Sequence, residues 1–487
     1  MSMKKVVSHG AIYAVGNIAR NVASFVMLPI YTRFLTPADY GVLELLSMVV
    51  DFAGLLLGRR VAQGIYRQYF LEDNDENKKC VISSSIYISI AMNVVAVVLV
   101  IALSGYIASV IFGDQAYQRL IILFSVSILL GALFEIGMVY LRIQQRPWFF
   151  VSVSISKLLL QVSLNIYFII FLGMAVEGIV YSTLITMGVF SIFTVAYCFY
   201  HVGFRFRVYI VKQLVSIGWP LLLASWISFY VMYADRYFIR VYSGLSEVGV
   251  YSLAFKLAFV LTFLVSEPFQ HIWSSLRYEI YKDETQHYLY RKIFVLFSAL
   301  MIIAGLLISL FSEELLIVMS DEAFHGASVL VPYLVVVVIL QSLASFCNLG
   351  LFIEKKTIHL SYAMFIAAII STIGFIYAIP LWGAHGAAIT ILLAFVVRLI
   401  YVHRASLKLF NMDISWRPIM LLFFVAGLIY ILSTFVPQQL IMSIPLKALL
   451  VVLFLILILK LPIFDEKYKQ IFIKILKDPR KIRESLG

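Results

Sequence analysis

Four polar residues stand at helical spacing in one otherwise apolar stretch: Ser154, Lys157, Gln161 and Asn165. A second such set, Tyr13, Asn17, Arg20 and Ser24, also recurs at intervals of three and four and so shares one helix face. A cation embedded in apolar sequence with no acid on its own face attracts an anion. Arg20 and Lys157 meet that condition best. Phosphate or pyrophosphate is the fitting ligand, with arginine its better bidentate partner. Arg236 and Lys256 add two more cations within apolar runs, and Arg59 a third close to the end of one. The acids Asp51, Glu135, Asp235 and Glu267, with His271 beside the last, are candidates for carrying a coupling proton or Na⁺, because burial in a membrane raises a carboxyl pKa. Asp235 and Arg236 are neighbours in sequence, so on a helix they are expected to point apart, each needing its own partner or water.

Other chemistry is missing from the sequence. The cysteines, Cys80, Cys198 and Cys347, are far apart and form neither a metal-ligand spacing nor a disulfide framework. None of the eight histidines makes an HxxxH pair, and HExxH, GxxxxGK and GxSxG do not occur. Neither a resident metal nor a cofactor is expected.

The elements that must hold these residues are set by composition. The chain has 487 residues, 62% hydrophobic and only 13% charged, with a mean hydropathy of +0.98. Soluble domains carry about 25% charged residues, so a soluble enzyme, a nucleic-acid binder and a disordered scaffold are excluded. Apolar runs of the ~20 residues needed to cross the hydrocarbon recur along the whole chain, about fourteen in all. They lie near 10–34, 40–64, 81–112, 117–141, 148–172, 175–200, 214–241, 247–272, 292–318, 325–353, 357–381, 384–407, 418–437 and 443–463. The expected fold is an all-α integral membrane protein. With the N-terminus in the cytoplasm, most Lys and Arg fall in cytoplasmic loops and in the tail 465–487, so both termini are placed there. That asymmetry also accounts for the net charge of +12: the basic loops face anionic membrane lipids, and no nucleic acid is needed as a partner. Arg59, Arg60, Arg142 and Arg398 are near the same ends and read as snorkelling anchors. The tail alternates Ile and Phe with Lys, the pattern of a surface amphipathic helix.

An internal repeat is visible. Ala38-Asp39-Tyr40-Gly41-Val42 follows the first span and Ser246-Glu247-Val248-Gly249-Val250 the seventh; Val176-Glu177-Gly178 opens the sixth and Ala384-His385-Gly386 the twelfth. Both pairs stand 208 residues apart (Gly41 to Gly249, Gly178 to Gly386). This predicts two pseudo-symmetric six-helix bundles, 1–210 and 211–410, an extra helix pair over 411–464 and the basic tail. At the same offset Arg59 matches Glu267 and Gln63 matches His271, so polar stripes recur in both halves. Pro268 beside Glu267 should bend or interrupt its helix.

The run Leu28-Pro29-Ile30-Tyr31-Thr32-Arg33-Phe34-Leu35-Thr36-Pro37-Ala38-Asp39-Tyr40-Gly41 resembles the signature at the first helix–loop–second helix of bacterial polysaccharide flippases. These are the O-antigen and capsule repeat-unit translocases of the multidrug/oligosaccharidyl-lipid/polysaccharide exporter superfamily. Asp235-Arg236-Tyr237-Phe238-Ile239 with Gly249-Val250-Tyr251-Ser252, and Gly383-Ala384-His385-Gly386-Ala387-Ala388, resemble two further segments of that family. The resemblance implies two bundles around a cationic cavity, working by alternating access. It implies a non-enzymatic flippase in the bacterial inner membrane. The cargo is an undecaprenyl-diphosphate-linked oligosaccharide bound for the periplasmic leaflet, an H⁺ or Na⁺ gradient the drive, and polysaccharide polymerase or assembly proteins the partners. Basic residues on helices one, two, seven and eight are implied as ligands, here Arg20, Arg59, Arg236 and Lys256. The alternatives are a cation-coupled multidrug exporter of the same fold and, in a different class, a membrane glycan polymerase or ligase.

Overall fold

The computed structural model describes residues 27–57, 59–218, 222–437 and 439–460. Asn17 and Arg20 lie outside these residues, as does the tail 465–487. The described chain is helical, with no strand among the described residues. The helices are α1 (Leu28–Phe34), α2 (Pro37–Leu57), α3 (Arg59–Leu71), α4 (Asp75–Ala102), α5 (Gln118–Ile143), α6 (Pro147–Ile166), α7 (Ala175–Val202), α8 (Val208–Gly218) and α9 (Leu222–Ser243). Then come α10 (Leu245–Leu261), α11 (Glu267–Lys282), α12 (Tyr288–Met319), α13 (Ala327–Phe346), α14 (Ile358–Leu407), α15 (Arg417–Ser433) and α16 (Leu440–Lys460). Among the described residues nine helical stretches are long and apolar enough to cross a membrane. Large apolar side chains such as Val98, Leu159, Ile192, Phe365 and Leu449 stand exposed on them. Such surfaces are tolerated in hydrocarbon and not in water. The protein is therefore an all-α, multi-pass membrane protein.

Local sequence explains where the helices start and break. Thr36 and Asp39 form a reciprocal cap at the start of α2: the Thr36 hydroxyl donates to Asp39 Oδ2 at 2.6 Å and the Asp39 N–H donates to Thr36 Oγ1 at 3.1 Å. Pro37, with no N–H to lose, occupies the first helical position. Asn74 caps α4 by accepting from the Glu76 N–H at 2.9 Å. Pro268 acts as expected, since a π-helical turn over Thr262–Ser266 separates α10 from α11, in whose first turn the proline sits. Gly383 takes φ 53°, a left-handed conformation, and breaks α14 into two arms. The Glu247 carboxylate accepts from the Ala384 N–H at 3.1 Å, capping the second arm.

The described residues form two compact units. The first comprises the described part of Met1–Leu253 with Met319–Gly326 and Met364–Thr390. In it α5 packs against α4 and α7, and α2 and α6 complete the walls around the cavity described below. The repeat motifs meet here. A Cβ on Gly41 would collide with the Leu245 carbonyl oxygen, and one on Gly249 with the Pro37 carbonyl oxygen. Pro37 and Leu245 are themselves 208 residues apart, so the contact is reciprocal between equivalent positions. Gly249→Ala is expected to cost about 1–3 kcal/mol through overpacking, read as a lower melting temperature in detergent. Gly188→Ala, where the added Cβ meets nothing within 4 Å, should leave melting unchanged or raise it slightly.

The second unit comprises Ala254–Val318, Ala327–Ala363 and the described part of Ile391–Gly487. Its core is aromatic: Phe269 stacks on Phe297 at 3.9 Å between ring centroids and Trp273 on Phe346 at 4.2 Å. The extra helix pair is tied in by charge. Lys447 of α16, 5% exposed, places Nζ 2.5 Å from Glu314 and 3.4 Å from Glu313 of α12, and the Ser443 hydroxyl donates to Glu314. Helix α12 runs to Met319 and buries Glu314 against α16.

Candidate functional site: a polar cavity in the first unit

The central feature of the first unit is a polar cavity of ≈ 510 Å³. Helix α6 supplies one wall. All four members of its polar stripe, Ser154, Lys157, Gln161 and Asn165, line the cavity, because residues at intervals of three and four share a helix face. Helix α5 supplies the opposite wall with Ser127, Glu135 and Arg142, and α4 adds Asn93. Glu135 and Arg142 are seven residues apart and so lie on one face. Arg142, read from its position as an interface anchor, lines the cavity with its guanidinium 4.9 Å from the centroid of the Phe150 ring. Lys157 Nζ lies 5.4 Å from the Phe134 ring centroid.

The neutral polar groups are organised into a network. Asn165, fully buried, donates to the Tyr31 hydroxyl at 2.8 Å and accepts from Ser182. Gln161 donates to Ser182 Oγ at 3.0 Å and to Asn165 Oδ1 at 3.3 Å. Asn93, also fully buried, donates to the Ser89 carbonyl at 2.7 Å, while its own Oδ1 has no hydrogen-bond partner among the described residues. A buried amide oxygen left unpaired beside a cavity is a position at which a ligand hydroxyl is favoured. The network fixes amides and hydroxyls beside two cations and one carboxylate. That arrangement can hold an anionic group carrying neutral polyol.

The other expected residues are placed differently. Asp235 and Arg236 pair with each other: Arg236 Nη1 lies 2.9 Å from Asp235 Oδ1, and Tyr251 donates to Asp235 Oδ2 at 2.7 Å. They were expected to point apart. The long arginine stem curls back, with Nη1 also donating to the Met232 carbonyl at 2.8 Å, and this closes the gap. Arg236 is 4% exposed and lines no described cavity. Asp51 accepts from the Tyr233 hydroxyl at 3.2 Å. Arg59 is the first residue of α3, and its side chain lies outside the described ones. Lys256, half-buried, and Glu267 and His271, both exposed, belong to the second unit and line neither cavity. Among the described residues no group of three or more His, Cys, Asp or Glu is placed to hold a metal ion.

A family model described as "Polysaccharide biosynthesis protein" matches residues 30–328. No curated protein sequence matches the chain. Among solved structures, the lipid II flippase MurJ in an inward closed conformation is 13% identical, with a TM-score of 0.72, covering 91% of this chain and 98% of that one. An inward-facing multidrug resistance MATE family transporter of the MOP superfamily is 18% identical, with a TM-score of 0.64, covering 81% of this chain and 95% of that one. The MATE multidrug transporter DinF-BH is 16% identical, with a TM-score of 0.58, covering 85% of this chain and 97% of that one. At these identities the likeness shows a shared fold.

Proposed function

The chain belongs to the polysaccharide biosynthesis protein family, and from that premise we propose that it is a flippase for an undecaprenyl-diphosphate-linked oligosaccharide repeat unit. It moves the repeat from the cytoplasmic to the periplasmic leaflet of the bacterial inner membrane, with both its termini in the cytoplasm. The observation that carries this reading is the charge balance of the polar cavity: Lys157 and Arg142 face a single carboxylate, Glu135, among its described lining residues. A net positive, amide-rich cavity suits a pyrophosphate with a sugar attached. A drug exporter for cationic compounds calls for the opposite sign.

In the proposed cycle Lys157 and Arg142 bind the pyrophosphate, joined by Arg20 and Asn17 of the first span and by Arg59. Asn165, Gln161 and Asn93 take sugar hydroxyls. Glu135 is the cavity carboxylate available to a coupling H⁺ or Na⁺, with Asp51, Glu267 and His271 as further candidates. Alternating access carries the head across while the prenyl chain remains in an apolar environment. Lys256 remains in the proposed substrate set. The Asp235–Arg236 pair is buried and has a structural role, and it remains a candidate for coupling or substrate binding.

The test uses a deletion strain and its complemented parent, with the lipid-linked oligosaccharide labelled in each leaflet. Complete precursor should accumulate on the cytoplasmic side in the deletion strain and be relieved by the gene. Single repeats that reach the periplasmic side but are never joined or transferred would replace the flippase with a polymerase or ligase. Normal leaflet distribution with heightened sensitivity to cationic drugs would favour the exporter.

A further inference from the structure

The first unit contains a second large space, a groove of ≈ 1100 Å³ between α2, the end of α4 with the turn beyond it, α9, and the first arm of α14. Its walls are made by side chains such as Phe52, Leu99, Tyr106, Trp226, Phe238 and Ile369. No charged residue lines it among the described residues. Several of its polar atoms are already engaged: the Tyr230 and Thr372 hydroxyls bond each other at 2.6 Å, and the Tyr233 hydroxyl donates to Asp51 at 3.2 Å. What the groove presents is carbon. Phe52, Leu99, Tyr106, Trp226 and Ile369 are exposed along it, with side-chain surface open to an apolar occupant.

The groove adjoins the polar cavity. On α4, Asn93 lines the cavity while Ala96, Leu99 and Val100 line the groove. From Asn93 to Ala96 is less than one turn, about 4.5 Å at ~1.5 Å per residue. On α2, Val50 and Gly54 line the cavity and their neighbours Val49 and Ala53 the groove. The cavity extends along α5 to Arg142, at the end carrying the 144–146 turn. The groove extends along α4 past Leu103 to Ile111, toward the opposite end of the span. A polar compartment near one membrane face, continued by a hydrocarbon compartment toward the middle and the other face, matches an amphiphile. Its charged head enters from one leaflet and its chain points across the bilayer.

We propose that this groove seats the polyprenyl chain of the lipid carrier whose diphosphate occupies the polar cavity. The proposal rests on the flippase reading and adds a binding site for the part of the substrate that does not cross. Inside a bilayer, hydrocarbon gains little by leaving lipid for protein, so selectivity comes from packing against the groove's rings and branched side chains. The chain therefore contributes a modest increment, on the order of tenfold in affinity.

The experiment compares two probes on the purified full chain in nanodiscs: undecaprenyl diphosphate and geranyl diphosphate, which share a head and differ in chain length. The wild type is expected to bind the long chain about tenfold more tightly. Leu99→Trp and Ile369→Trp fill the groove from exposed positions, with little expected effect on folding. Either should abolish the long-chain advantage while leaving geranyl diphosphate binding as it was. Equal binding of both probes to the wild type, or an advantage that survives both substitutions, overturns the groove. Displacement of undecaprenyl diphosphate by dioleoyl phosphatidylglycerol as readily as by itself overturns it too, making the groove an ordinary lipid site. If neither diphosphate binds the wild type, the flippase reading fails and the groove proposal falls with it.

Discussion

Asp235→Ala is expected to destabilise the protein by about 3–5 kcal/mol, the range observed when one partner of a buried ion pair is removed. The carboxylate is fully buried, within 2.9 Å of Arg236 Nη1, and accepts a hydrogen bond from Tyr251. Truncation removes the carboxylate paired directly with a guanidinium that is only 4% exposed. Tyr251→Phe removes one hydrogen bond and is expected to cost only about 1 kcal/mol. Replacing both charges, as Asp235→Leu with Arg236→Met, should recover most of the loss, since an apolar pair of similar volume is often as stable as the ion pair. Thermal unfolding in detergent reads all three. Unchanged melting of Asp235→Ala would sink the buried-pair account. The double variant also settles what Arg236 does. If it is stable and still supports surface polysaccharide, the pair holds α9 to α10. If it is stable but inactive, Arg236 serves the substrate, as the resemblance to flippases implies.

Much of this molecule is written in its sequence, because hydrocarbon imposes one requirement that every span must meet. Apolar runs near 20 residues locate helices such as α4, α5, α6, α7 and α13 closely. The stripe from Ser154 to Asn165 was legible for a related reason: polar side chains are scarce in spans, so their spacing alone reveals a face. Arg142 was legible in principle through its spacing from Glu135, but its place near a helix end favoured the anchor reading. Contacts between distant segments were not legible. Lys447 meets Glu313 and Glu314 across more than a hundred residues, and nothing in its local sequence separates a loop cation from a buried one. Asp235 and Arg236 misled for a geometric reason. Helical spacing fixes where Cβ points, not where a long, flexible side chain ends.

Ser182 donates to Asn165, which lines the polar cavity. The positions 208 residues on are Thr390 and Ile373, so the buried amide has no counterpart at that offset. A Cβ on Gly374, next to Ile373, would collide with the Thr390 side chain. The matching motifs at this offset therefore do not extend to the hydrogen-bonded pair beside the cavity.

Lys157→Gln and Arg142→Gln should each lower flux about ten- to a hundredfold, since a hydrogen bond to a charged group contributes roughly 1.5–3 kcal/mol. Both side chains are only half-buried, and glutamine keeps most of the volume, so melting should change little. That separation of activity from stability distinguishes a ligand from a structural cation. The double variant should lose more than either single one, but less than the product of the two losses if both cations grip the same pyrophosphate. Lys157→Arg and Arg142→Lys keep the charge and should retain most of the flux; the second should suffer more, because a bidentate fork is replaced by a point charge. Export of labelled lipid-linked repeat in complemented cells, normalised to protein level, gives the comparison. Full flux in the double glutamine variant would remove the positive charge of this cavity from the mechanism. Loss confined to Arg142 variants would place the pyrophosphate at the 144–146 end of the cavity and leave Lys157 to the sugar network around Asn165 and Gln161.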